Sequence, residues 1–240
     1  MLRPLRSALA RALHHLRSAP GTHLWLLVLL LTTVATRHMD PAFTDAFLRQ
    51  RSTNIHHLSQ DPSRVLITSA LWLDGGGWLP YAVLYSLFHA PAERRLGTLR
   101  WLGVVLAAHV GATYLSEGVL GWAIRHGIAP PESVNTLDVG VSYALAGVVA
   151  VLTHLIPAPW RYPYLFAVLT FYALPLVNGR TFTDVGHLAA ALIGLACYPL
   201  TRNRATHRGG HGRDLTGNPA PRRPRQPRTP PSAPPRTPAP

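Results

Sequence analysis

Apolar stretches recur along residues 23–200 of this 240-residue chain, and the charged residues collect in the gaps between them. That alternation constrains the fold more than any other feature. Inside lipid, every backbone N–H and C=O must find a partner within the protein, and a charged side chain costs several kcal/mol. Such stretches therefore form helices and push charge to their ends. Six can be counted: 23–36, with LWLLVLLL at its centre, a short one from Gly77 to about residue 90, then 101–124, 139–156, 162–177 and 185–200. The last three run to about 16–18 residues, shorter than the ~20 of an ordinary span, which predicts tilting or local thinning of the bilayer. The expected fold class is all-α, a polytopic membrane protein built as a six-transmembrane-helix bundle.

A formal charge of +13 would ordinarily suggest nucleic acid, but its placement points to lipid. Four arginines lie in residues 1–17 and nine follow Leu200, while the middle of the chain is nearly balanced. Leu2, Leu5, Leu9, Leu13 and Leu16 recur at helical spacing with arginines off the stripe, so residues 1–20 read as a basic amphipathic surface helix. Residues 21–200 form the membrane domain. Residues 201–240, Arg/Pro-rich with ten prolines after Gly217, bury too little to fold and read as a disordered cytoplasmic tail. The expected partners are the lipid bilayer, and anionic lipids at the basic ends, with no nucleic acid. Arg94, Arg95, Arg100 and Arg161 fall on one side with both termini, and the positive-inside rule makes that side cytoplasmic, in a multi-pass protein of the cell membrane. The Arg-rich start followed by an apolar run also fits a signal peptide, but no clean small-x-small cleavage site follows, so an uncleaved anchor is expected.

Polar side chains inside such spans are the candidates for function. They are His109 and Glu117 on the third span, Ser142 and His154 on the fourth, and His187 on the sixth. Cys197 is the single cysteine and reads as a packing residue. The pairs His56-His57 and His207/His211 have no cysteine or carboxylate partners at ligand spacing, so no metal and no cofactor is expected. Ser142 and His187 stand out by depth. With helix starts at Asp138 and Asp184 and both helices running inward, Ser142 lies about 6 Å and His187 about 4.5 Å below them. Gly140, Gly147, Ala190 and Gly194 offer small surfaces for a close approach. A serine with an imidazole in reach is the minimum for nucleophilic catalysis, the His taking the hydroxyl proton and returning it to the leaving amine.

Asp184-Val185-Gly186-His187-Leu188 with Gly194, Gly140-Val141-Ser142, Tyr143-Ala144-Leu145-Ala146-Gly147, and Glu93 followed by Gly97 occur in that spatial logic. In these residues the chain resembles the rhomboid intramembrane serine proteases, over about residues 61–200. The resemblance implies a rhomboid-like fold, with Ser142 and His187 as the catalytic dyad of a serine endopeptidase and transmembrane proteins as substrates. It departs from the family pattern at one point. The family has Gly-x-Ser-Gly, two residues, then Tyr-Ala-Leu-x-Gly, whereas Ser142 here abuts Tyr143. Keeping the Tyr-Ala-Leu-x-Gly register puts Val139 in the nucleophile's place. The family's side-chain oxyanion donors correspond to Gly77 and Tyr81, and loss of one such donor typically costs a factor of about 100 to 1,000. The leading expectation is a catalytically degenerate relative that binds transmembrane clients. An active protease using Ser142 and His187 is the alternative, and a small transporter or proton relay through His109, Glu117, Asp138 and Asp184 is a third class.

Overall fold

The computed structural model describes residues 16–75, 77–179 and 181–202, so the surface helix expected over residues 1–20 and the tail over 201–240 lie largely outside the described residues. The helices are α1 (Pro20–Arg37), α2 (Pro41–Arg49), α3 (Ile55–Gln60), α4 (Pro62–Ser69), α5 (Trp78–Leu84), α6 (Ala90–Leu96), α7 (Thr98–Arg125), α8 (Val141–Val151), α9 (Arg161–Asn178), α10 (Phe182–Ala196) and α11 (Tyr198–Thr201). A π turn over Tyr85–His89 joins α5 to α6, and α8 ends in a 3-10 turn over Leu152–Leu155. Among the described residues there is no strand. Each of the six apolar stretches coincides with a helical rod: α1, α5–α6, α7, α8, α9 and α10.

The faces of these rods are inverted relative to a water-soluble bundle. On α7 the exposed side chains include Leu99, Leu102, Leu106, Leu115, Val119 and Trp122, while His109, Thr113, Ser116 and Glu117 are buried. On α1, Leu24, Leu27 and Leu31 face out, and Thr22 and Thr33 face in beside Leu26 and Leu29. Leucines outside and polar groups inside are stable only where the surroundings are apolar. Among the described residues one helix, α7, is long and apolar enough to cross a membrane. The apolar rods Val141–Leu155 and Phe182–Ala196 are shorter, whereas α9 reaches 18 residues.

Hydrogen bonds tie the rod ends into two layers. At one end the Glu93 carboxylate accepts from Gly21 N–H at 2.9 Å, Thr22 N–H at 2.7 Å, Thr22 Oγ1 at 2.7 Å and Thr98 Oγ1 at 2.8 Å. It thereby satisfies orphan donors in the first turn of α1 and pins the start of α7. Arg95 reaches Leu155 O, and Arg100 reaches Arg202 O, at the same end. At the other end Thr53 N–H donates to Asp138 O at 3.0 Å and Asp138 N–H donates to Ser52 Oγ at 2.7 Å. The rods therefore run up and down, and the arginines 94, 95 and 100 share the layer of the first and last rod ends.

At the centre, α7, α8 and α10 pack on one another through small residues. A side chain at Gly194 would collide with the backbone of Gly147, and one at Gly147 with Ala108. Close backbone approach of this kind is how helices associate without a hydrophobic driving force. By contrast α9 lies at the periphery, with Val168 as its buried residue.

The polar stretch of residues 37–64 holds two short capped helices: Asp40 caps α2, accepting from Ala42 and Phe43 N–H, and Asn54 caps α3, accepting from His57 N–H. The second rod does not stop near residue 90 but continues to Leu96. Pro91 has no N–H to give Leu87, and the π turn just before it absorbs the mismatch, with Ala90 N–H reaching back to Tyr85 O.

Candidate functional site

A cavity of about 330 Å³ opens between four rods, walled by Tyr81 and Leu84 of α5, Ser142 and Leu145 of α8, Phe171, Tyr172 and Pro175 of α9, and Asp184 and His187 of α10. Both residues singled out as a catalytic dyad line it. Their depths differ from the expected ones because α8 begins at Val141 and α10 at Phe182. Ser142 is thus the second residue of its helix, about 1.5 Å in, and His187 the sixth, about 7.5 Å in. No hydrogen bond joins Ser142 to His187.

Two tyrosines hold the His187 ring instead. Tyr143 meets it edge-on with centroids 5.2 Å apart, and Tyr172 stacks on it at 6.2 Å and 26°. Gly186 makes room for the first, since a Cβ there would sit 2.6 Å from the Tyr143 hydroxyl. Asp184 is occupied as a helix cap: it accepts from Thr181 Oγ1 at 2.6 Å and Thr181 N–H at 3.0 Å, and its own N–H donates to Thr181 Oγ1. It therefore does not orient the imidazole as a third catalytic member would. The tyrosine and phenylalanine walls were missed from the sequence, because nothing in their spacing says which face of α9 turns toward α10.

Behind Tyr143 lies a buried polar face. His109, Thr113, Ser116 and Glu117 fall at spacings of four, three and one along α7, a single face that the sequence could have shown. The His109 Nε2 bonds Leu66 O at 2.8 Å, with its ring packed against Gly140. The Tyr143 hydroxyl donates to Ser116 Oγ at 3.5 Å and lies beside the Asp138 carboxylate. Asp138, just ahead of α8, is 4% exposed and accepts from Thr53 Oγ1. Burial pushes its carboxyl up to about 6, against the opposing pull of Tyr143 and Thr53. His154 is tied to Leu195 O at 2.8 Å and holds α8 to α10 rather than facing the cavity. His56 and His57 adjoin each other, and among the described residues no three His, Cys, Asp or Glu side chains gather as a metal site.

A family model described as rhomboid-like protein matches residues 14–207. No curated protein and no solved structure matches the chain. The matched segment contains all six rods, the Glu93 tie, the Tyr143-to-Gly147 run packed against α7 and α10, and the cavity that His187 lines. The chain therefore belongs to the rhomboid-like protein family and is a helical membrane protein.

Proposed function

We propose that this protein is a non-cleaving rhomboid-like protein of the cell membrane that receives transmembrane segments of client proteins in the cavity between α5, α8, α9 and α10. The observation that carries this reading is the state of His187, whose ring rests against Tyr143 and Tyr172 with no hydrogen bond to Ser142. A general base must reach the proton it removes, at about 2.6–3.2 Å or somewhat looser at rest. Tyr143 is the tyrosine of the family's Tyr-Ala-Leu-x-Gly run, so counting back four residues puts Val139, and not Ser142, at the nucleophile's register. Gly77 and Tyr81 supply no carboxamide or imidazole for an oxyanion. Leu84, Leu145, Phe171 and Pro175 give the cavity the apolar walls that a lipid-facing helix would fill. Both termini face the cytoplasm in this reading, since Arg94, Arg95 and Arg100 share a layer with the first and last rod ends.

One observation favours the protease alternative: Ser142 sits in the first turn of α8, where free N–H groups gather, and shares a cavity with His187. Fluorophosphonate labelling of the purified full-length protein in lipid separates the two. No labelling is expected, while a fluorescent single-span leucine-rich peptide in the same vesicles transfers energy to a dye near Phe171 in the parent and not in Leu145→Trp. Labelling that disappears in both Ser142→Ala and His187→Ala would establish the protease.

A further inference from the structure

Glu117 is 4% exposed, and neither of its carboxylate oxygens has a hydrogen-bond partner. The Ile55 N–H points toward it without reaching hydrogen-bonding geometry. Thr113 Oγ1, one turn earlier on the same face, is also buried without a partner. An ionised carboxylate in such a place lacks both water and a counter-charge, and costs several kcal/mol even after relaxation.

Among the described residues no cation offsets it. Asp138 is the charged group that acts on Glu117, and it carries the same sign. The basic groups on the surrounding elements are engaged or remote. Arg51, ahead of α3, lies 3.3 Å over the Phe47 ring, and His57 adjoins His56. On α7 itself His109 binds Leu66 O, and Arg125 stands two turns beyond Glu117 at the helix end. From α10, His187 rests on Tyr143 and Asp184 caps its helix. From the segment before α8, Glu132 lines a separate open cavity of about 480 Å³ with Asp45 and Arg49.

We propose that Glu117 and Asp138 form a proton-binding site inside the bundle, in which Glu117 is the protonated acid at neutral pH and Asp138 the member in the layer that Ser52 and Thr53 tie. The proton neutralises a buried carboxylate that the fold leaves without donors. The Tyr143 hydroxyl lies beside the Asp138 carboxylate and donates to Ser116 Oγ, on the residue preceding Glu117 in α7, so the two acids share one polar cluster. Asp138 also belongs to the Ser52–Thr53 staple, so loss of the proton sets two like charges behind the segment that leads into α8.

Infrared spectroscopy of the full chain in lipid vesicles tests this, because a protonated carboxyl has a C=O stretch distinct from that of a carboxylate. The parent is expected to show a protonated-acid band at pH 7 that Glu117→Gln abolishes. In Asp138→Asn the band should persist and bleach at a lower pH, since a like charge has been removed. Three results would overturn the proposal: no such band at pH 7, a band untouched by Glu117→Gln, or a midpoint unmoved by Asp138→Asn. Bleaching by sodium at constant pH would also overturn it, by showing that a cation takes the place assigned to the proton. Should Glu117→Gln fail to fold, the parent's band and its shift in Asp138→Asn still decide the matter.

Discussion

Glu93 and Glu117 lie on consecutive helices, α6 and α7, and are equally withdrawn from solvent, at 1% and 4% exposure. Their surroundings share nothing else. Glu93 receives four hydrogen bonds, two from backbone N–H groups at the start of α1 and two from threonine hydroxyls, and so joins three helix ends. Glu117 receives none and faces a second acid. The contrast teaches that burial alone says little about a carboxylate's role: the donors around it decide whether it acts as a structural tie or as a chemical group.

Breaking the saturated tie should have the largest effect. Glu93→Ala orphans the donors of α1 and α7 together and is expected to cost on the order of 4 kcal/mol. Thermal unfolding of the protein in detergent, followed by loss of helical signal, reads this directly, and a change under 1 kcal/mol would mean that α1 is held by packing alone.

Asp138 sits between the two extremes, with donors but deeply buried, and sharpens the contrast through pH. Burial raises its carboxyl from the ordinary 3.8 to about 6, so over that interval the folded protein retains a proton that the unfolded chain releases. Its contribution is therefore fully present below about pH 4 and is lost as pH rises to about 6, a fall on the order of 3 kcal/mol. The slope of stability against pH between 4 and 6 should flatten in Asp138→Asn. A parent whose stability rises over that interval would show that some other carboxylate, held by donors, dominates there.

The smallest effect belongs to Glu117→Gln at neutral pH. An amide replaces a neutral acid of the same shape, so the change should stay within about 0.5 kcal/mol. If instead it costs as much as Glu93→Ala in the same melting experiment, the two glutamates are equivalent and the comparison fails.

Much of this architecture was legible in the chain itself. The six rods follow from runs such as Leu24–Leu31 and Val104–Val105, because hydrophobicity and helical period are local properties. The caps at Asp40 and Asn54 are legible too, each a short acceptor ahead of a helical turn, with Pro41 at the first helical position after Asp40. The π turn was not, since a proline at position 91 signals a break and does not say how the chain absorbs it. Ser142 and His187 were legible as polar residues on facing rods, and their shared cavity follows from that. What the imidazole touches does not follow, as Tyr143 and Tyr172 come to it through the rotation of α8 and α9 about their own axes.

The sequence by itself determined a helical membrane protein, its six rods, and His109 and Glu117 as polar groups that lipid forces inward, while His89, Thr113 and Ser116 joined them only in the folded bundle. Only the tertiary structure decided which of those groups find partners. Successive residues on a helix are turned by about 100°, so whether Ser142 or Tyr143 meets His187, and whether Glu93 or Glu117 gains donors, depends on how far each rod is rotated and raised against its neighbours. Those settings are fixed by the contact of Gly194 with the Gly147 backbone and of Gly147 with Ala108, pairs whose members are separated by dozens of residues and whose meeting no local pattern encodes.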